Sequence, residues 1–112
     1  MKMRQGEIWE MYFDPTEGSE QRGRRPAVII SGNMMNTYLQ VVIVCPLTTK
    51  VKSYKGDVVL QPNTVNGLQV PSEILTFHVR SVDKKQLKNR IGEITKQELD
   101  ELKNGLNDIL RY

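Results

Sequence analysis

The sequence has one cysteine and one histidine in 112 residues, and aromatic residues make up only 6% of it. A single thiol, Cys45, excludes an internal disulfide and agrees with a reducing compartment. Cys45 and His78 together do not supply the usual zinc ligand sets, and no glycine-rich phosphate-loop pattern is present. No metal or other cofactor is therefore expected. No apolar stretch approaches the length of a bilayer span, and the first seven residues lack a signal-peptide core. These absences point to a cytoplasmic protein with no membrane partner. No serine sits in a nucleophile-elbow context.

The hydrophobic fraction of 38% and the charged fraction of 26% suit a globular chain. The length fits one compact domain, 1–112, with a core small enough that pairing with a second copy would add stability. The net charge is only +3, but its distribution is uneven. From Gln21 to Gly56 there is no Asp or Glu, while Arg22, Arg24, Arg25, Lys50, Lys52 and Lys55 all fall there. Such a stretch fits either a positive face for phosphates or a set of solvated loop charges, and charge alone does not separate the two.

The patterning is mainly β. Gly6 to Phe13 alternates apolar and polar and predicts a strand. Asp14 to Gly18 is turn chemistry, and a polar loop runs on to Arg25. Pro26 opens the β-branched run Ala27 to Ser31. Gly32 to Leu39 predicts at most one helical turn, and Gln40 to Pro46 a buried strand in which Cys45 is a small hydrophobe, not a nucleophile. Leu47 to Gly56 reads as a long polar loop. A strand over Asp57 to Leu60, two short strands within Leu68 to Val82, a helical turn over Asp83 to Leu87 and a last strand over Ile91 to Ile94 follow. Thr95 with Glu98 forms a capping-box pattern, and Leu99, Leu102, Leu106, Ile109 and Leu110 then recur at helical spacing. Gly105 weakens that helix by roughly 1 kcal/mol relative to Ala. Short strands followed by one amphipathic helix predict a small barrel with a helix laid against it.

Two polar segments carry the chemistry. Gly18 to Pro26 combines Ser19, Glu20, Gln21 and three arginines; Pro46 to Lys50 offers Thr48 and Thr49 after a strand. Arginine stays charged and grips phosphate oxygens bidentately, and hydroxyls add donors to the same oxygens. In RNA the 2′-OH is an internal nucleophile, so an Arg/Thr pair without a metal is compatible with a ribonuclease and less so with a hydrolytic DNase.

Gly6-Glu7-Ile8-Trp9, Asp14-Pro15-Thr16, Gly18-Ser19-Glu20-Gln21 with Gly23 and Arg25-Pro26, Val28-Ile29-Ile30-Ser31, Pro46-Leu47-Thr48-Thr49 and Val79-Arg80-Ser81-Val82-Asp83-Lys84 together resemble the MazF/PemK family over nearly the whole chain. The resemblance implies an SH3-like barrel, a homodimer, a cognate antitoxin, and selective cleavage of single-stranded RNA to 2′,3′-cyclic phosphate and 5′-OH ends. It gives Arg25 and Thr48 catalytic roles and Glu20 a part in activity, and sets Ser19 and Gln21 near the substrate. Arg22, Arg24, Thr49, Lys50, Lys52, Lys55 and His78 join them as RNA-binding candidates. Trp9 is expected in the core or at a dimer contact. The family often has an acidic residue and Gln where Phe77 and His78 stand here, and some members have Arg and Asp at Leu75 and Phe77, so those roles do not carry over. The proton acceptor is left open among Glu20, His78 (a residue type that titrates near neutrality) and Arg25. The competing readings are a non-catalytic CcdB-like toxin, although the C-terminal Trp signature is missing, and an RNA-binding barrel, for which stacking aromatics are few.

Overall fold

A computed structural model describes residues 2–12 and 23–112. Seven strands form one antiparallel, strongly curled sheet: β1 (Glu7–Tyr12), β2 (Arg24–Ile29), β3 (Val41–Thr48), β4 (Val58–Leu60), β5 (Ser72–Ile74), β6 (Arg80–Asp83) and β7 (Leu87–Glu93). The order is β4-β5-β3-β2-β1-β7, with β6 also on β3. One helical turn and a half, α1 (Asn33–Tyr38), links β2 to β3, and α2 (Lys96–Arg111) ends the chain. Short 3-10 turns cover Thr76–His78 and Lys84–Gln86. The loop after β4 reaches β7, where the Glu93 amide donates to the Val65 carbonyl at 3.1 Å, drawing the sheet toward closure. This is the mainly-β small barrel with a C-terminal helix that the patterning predicts.

Several boundaries differ from the sequence expectation, most by one or two residues, and two of the shifts bear on the site. Arg24 and Arg25 belong to β2, not to the preceding loop, because Tyr12 and Met11 of β1 offer them ladder partners. Thr48 ends β3 instead of lying in a loop, because it pairs with Glu73 of β5. Polar residues join strands here because backbone pairing, not hydrophobicity, decides membership. The last strand likewise begins at Leu87, not Ile91, held by β1 over its length. Phe13 and the expected 14–22 turn and loop lie outside the described residues.

The continuous apolar runs of β2 and β3 are explained by burial on both faces. On one face Ile8, Val28, Cys45, Leu47, Val58, Leu60 and Ile74 pack with Ile94 and with Leu102 of α2. On the other, Trp9, Met11, Ala27, Ile29, Val42 and Val44 are covered by Met3, Val82 and Leu87. Trp9 is a core residue, its indole N–H donating to Glu7 at 3.0 Å. Cys45 is wholly buried, and burial pushes its thiol up to about 12, which keeps it protonated.

In α2 the capping box forms as expected: Thr95 accepts from the Glu98 amide, and Glu98 reaches back to the Thr95 amide. Leu102 is buried, and Leu99 and Leu106 are packed against the core. Ile109 and Leu110 are exposed, so the apolar face stops short of the helix end. Gly105 is more than a weak helix former. A Cβ placed there would lie 2.1 Å from the Gly56 carbonyl oxygen, so the glycine lets the helix backbone meet the end of the loop that follows β3. Gly105→Ala, favourable by about 1 kcal/mol on helix propensity, is expected instead to destabilise by about 1–3 kcal/mol through overpacking. Urea denaturation checks the sign; a gain in midpoint would contradict this account of the contact.

Candidate active site

Strands β2 and β3 pair Ala27 with Pro46, Val28 with Cys45 and Ile29 with Val44. Continued two residues in the same register, the strands bring Arg25 abreast of Thr48. Here the two strands leave a cleft of about 460 Å³ lined by Arg24, Arg25, Pro26, Leu47, Thr48, Thr49 and Lys50. Arg25 and Thr48 are both half-buried, while Thr49 and Lys50 are exposed at the rim. The Thr48 oxygen accepts from the Lys50 amide at 3.1 Å, which leaves its proton to donate outward. Three cationic side chains and two hydroxyls make the cleft receptive to an anion. A second cavity of about 380 Å³, between residues 56–59 and α2, is lined by Glu101 and Asp108, whose charges repel phosphate.

The structure separates the other candidates. Arg24 lines the cleft but is engaged elsewhere: its Nε lies 3.3 Å from Glu10 Oε2 and its Nη1 donates to Tyr12 at 3.2 Å. Lys52 and Lys55 are exposed on the loop beyond Lys50 and are not among the cleft's walls. His78 is not a wall of the cleft either; it is exposed at the end of the 3-10 turn, its ring 4.8 Å from Phe77, which stands edge-on to Tyr54 at 5.4 Å. Ser19, Glu20, Gln21 and Arg22 lie outside the described residues. Among the described residues no group of three His, Cys, Asp or Glu side chains is arranged to hold a metal ion, and no helix is long and apolar enough to cross a membrane.

A curled antiparallel sheet closed by one helix, with an anion-receptive cleft where two central strands diverge, defines a class of small half-barrel proteins. Within that class the chain belongs to the PemK-like, MazF-like toxins of type II toxin–antitoxin systems, whose family model matches residues 4–110. It is 34% identical over 109 residues to the Mycobacterium tuberculosis protein named endoribonuclease MazF9, covering 93% of this chain and 92% of that one. It is 33% identical over 105 residues to the endoribonuclease toxin MazF of Escherichia coli K12, covering 92% and 88%. A Deinococcus radiodurans MazE–MazF crystal structure superposes with a TM-score of 0.81 at 26% identity, over 98% of this chain and 97% of that one.

Two acids that the sequence reading passed over meet behind the cleft. Glu73 is wholly buried, and its carboxylate accepts from the amides of Lys52 (2.7 Å), Ser53 (2.9 Å) and Tyr54 (2.9 Å). Asp57 Oδ1 accepts from the Thr76 amide at 3.1 Å and the Thr76 hydroxyl at 2.7 Å. Its other oxygen is buried and meets no N–H or O–H donor among the described residues. The Asp57 and Glu73 carboxyls also meet each other, and two touching carboxyls do not both ionise readily. Burial pushes Asp57 up, and Glu73 pushes it further. Burial alone would raise Glu73 as well, but its hydrogen bonds from Asp57 and the three amides hold it below the usual range. Of the two, Asp57 is therefore the acid that takes up a proton more readily, and in that form its hydroxyl donates to Glu73. No periodicity marks such a pair; the sequence signal was only a charged residue, Glu73, directly ahead of the apolar Ile74 and Leu75.

The two shifts act on stability in opposite directions. Asp57, raised in the fold, contributes fully below the ordinary carboxylate range and loses its contribution as pH rises through its folded value. Glu73, lowered, contributes above that range and loses its share as pH falls through its own folded value. Asp57→Asn replaces the proton with a permanent N–H donor. Its melting temperature is expected to gain on the wild type as pH climbs above the carboxylate range, and parallel curves of melting temperature against pH would contradict the shared proton.

Proposed function

We propose that this chain, an endoribonuclease toxin by family, cuts single-stranded RNA at the Arg25–Thr48 cleft by attack of the 2′-OH on the adjacent phosphorus, without a metal. The observation that carries the reading is the convergence of Arg25 and Thr48 on one anion-receptive cleft. The attacking 2′-oxygen bonds to phosphorus and gives up its proton; the bond to the 5′-oxygen breaks, and that oxygen takes up a proton. The products are a 2′,3′-cyclic phosphate and a 5′-OH. As the phosphorane gathers charge, the guanidinium of Arg25 and the hydroxyl of Thr48 donate to its equatorial oxygens. Lys50, Thr49 and Arg24 hold flanking phosphates, and Lys52 and Lys55 add long-range attraction that salt screens. Glu20, by its place in the Gly18–Gln21 motif, is the proposed proton acceptor, ahead of the outlying His78; Ser19, Gln21 and Arg22 are proposed to contact the substrate.

The wider setting follows the family. The chain is proposed to act as a single domain, as a homodimer in the cytoplasm, and to be neutralised by a cognate antitoxin that covers the cleft. The Deinococcus complex of MazE with MazF is a precedent for such a partner.

The test is cleavage of a long unstructured transcript in EDTA. The wild type is expected to cut, leaving 5′-OH ends. Arg25→Ala and Thr48→Ala are each expected to slow cutting by on the order of a hundredfold, the cost of one preorganised donor. Wild-type rates in both variants, 5′-phosphate ends, or intact RNA with only retention or gyrase inhibition would overturn the reading.

A further inference from the structure

The segment that carries Thr49 and Lys50 out of the sheet is held by buried acid. Thr48 of β3 is paired across the ladder with Glu73 of β5. The Glu73 side chain then takes the amides of Lys52, Ser53 and Tyr54, while the Thr48 hydroxyl takes that of Lys50. Ser53 sits at φ 55°, in the left-handed region that costs a side-chain-bearing residue energy. Successive amides turned toward one anion around such a residue form a nest, and here the anion is the protein's own carboxylate. The far end of the segment is closed by the Asp57 amide on the Tyr54 carbonyl at 3.0 Å and by Gly56 against Gly105 of α2. Asp57, bonded to Thr76, braces Glu73 from behind.

Residue 73 thus meets both ends of the Thr48–Tyr54 segment, the start through its backbone and the end through its carboxylate. We propose that Glu73 is a positioning residue for RNA cleavage: by filling the amides of Lys52–Tyr54 it fixes the chain leaving Thr48, and so sets the Thr48 hydroxyl against the scissile phosphate and Lys50 against a flanking one. This rests on the reading that the cleft binds that phosphate. Glu73 is sealed from solvent and touches no RNA; it acts through Thr48. A buried acid used only to stabilise the fold would lower the melting temperature without any particular tie to Thr48. A positioning residue must lose its kinetic effect once the group it positions is gone.

The experiment is a double-mutant cycle in single-turnover cleavage with saturating enzyme, with affinity measured separately on 2′-deoxy-substituted RNA. Glu73→Gln keeps the shape but offers one acceptor oxygen in place of two. It is expected to slow cleavage about tenfold, to change affinity less than threefold, and to have no effect in a Thr48→Ala background. Because Glu73 is buried, an exposed pair of variants runs alongside. Lys52→Ala and Lys52→Pro both lose the ammonium, but only the proline loses an amide from the nest. Lys52→Pro is expected to be several-fold slower than Lys52→Ala, and the gap is expected to vanish with Thr48→Ala. Wild-type rates for Glu73→Gln and equal rates for the two Lys52 variants would overturn the proposal, as would slowing that persists undiminished without Thr48. Failure of the cleft reading shows itself separately, as a Thr48→Ala single variant that cuts at the wild-type rate.

Discussion

The cleft depends on the backbone ladder between β2 and β3. Antiparallel pairing fixes which residues stand opposite, and a slip of one position would turn each side chain to the other face. The register Ala27 with Pro46 is held by burial on both faces, since Ala27 and Cys45 belong to opposite cores and neither has anywhere else to go. Once those pairs are set, Arg25 and Thr48 meet at the open end of the ladder without any contact between their own side chains being needed. Two residues 23 positions apart in the chain are brought together by hydrophobic packing several residues away.

Strand β3 is the hub of this arrangement. Its first half pairs with β6, its last two residues with β5, and its other edge with β2. The polar residue at its end is held by the pairing to Glu73 on one edge, which is how Thr48 gains a fixed position despite partial exposure. The acid pair extends the same logic beyond the strand. A buried carboxylate is costly when uncompensated, yet here three amides and the Asp57 carboxyl surround it, so the charge organises a loop whose own hydrophobic residues, Val51 and Tyr54, stay exposed. The tight passage of Gly56 against Gly105 then ties that loop to α2, so that a helix distant from the cleft shares in its shape.

Much of this was legible in the sequence because it follows from periodicity. The runs at Val28–Ile30 and Val41–Val44, the capping box at Thr95 and Glu98, and the Leu99–Leu102–Leu106 face each gave the element that the structure contains. The chemical character of the cleft was legible too, from arginines and threonines beside buried strands and from the family motif. The extents of β2 and β3 were not, since Arg24, Arg25 and Thr48 join their strands through backbone partners far along the chain. The dispersal of Lys52, Lys55 and His78 away from the cleft, the Asp57–Glu73 pair and the packing value of Gly105 were hidden for the same reason: each depends on a contact between distant segments, which no local pattern encodes.

The central claim is that one phosphodiester is gripped jointly by Arg25 and Thr48, and a crystal structure of the protein with RNA made uncleavable by a 2′-deoxy substitution at the cut site tests it most directly. A phosphate oxygen is expected within about 3 Å of both the Arg25 guanidinium and the Thr48 hydroxyl, with the substituted sugar next to it. A phosphate seated elsewhere, with the Arg25–Thr48 cleft unfilled, would contradict it.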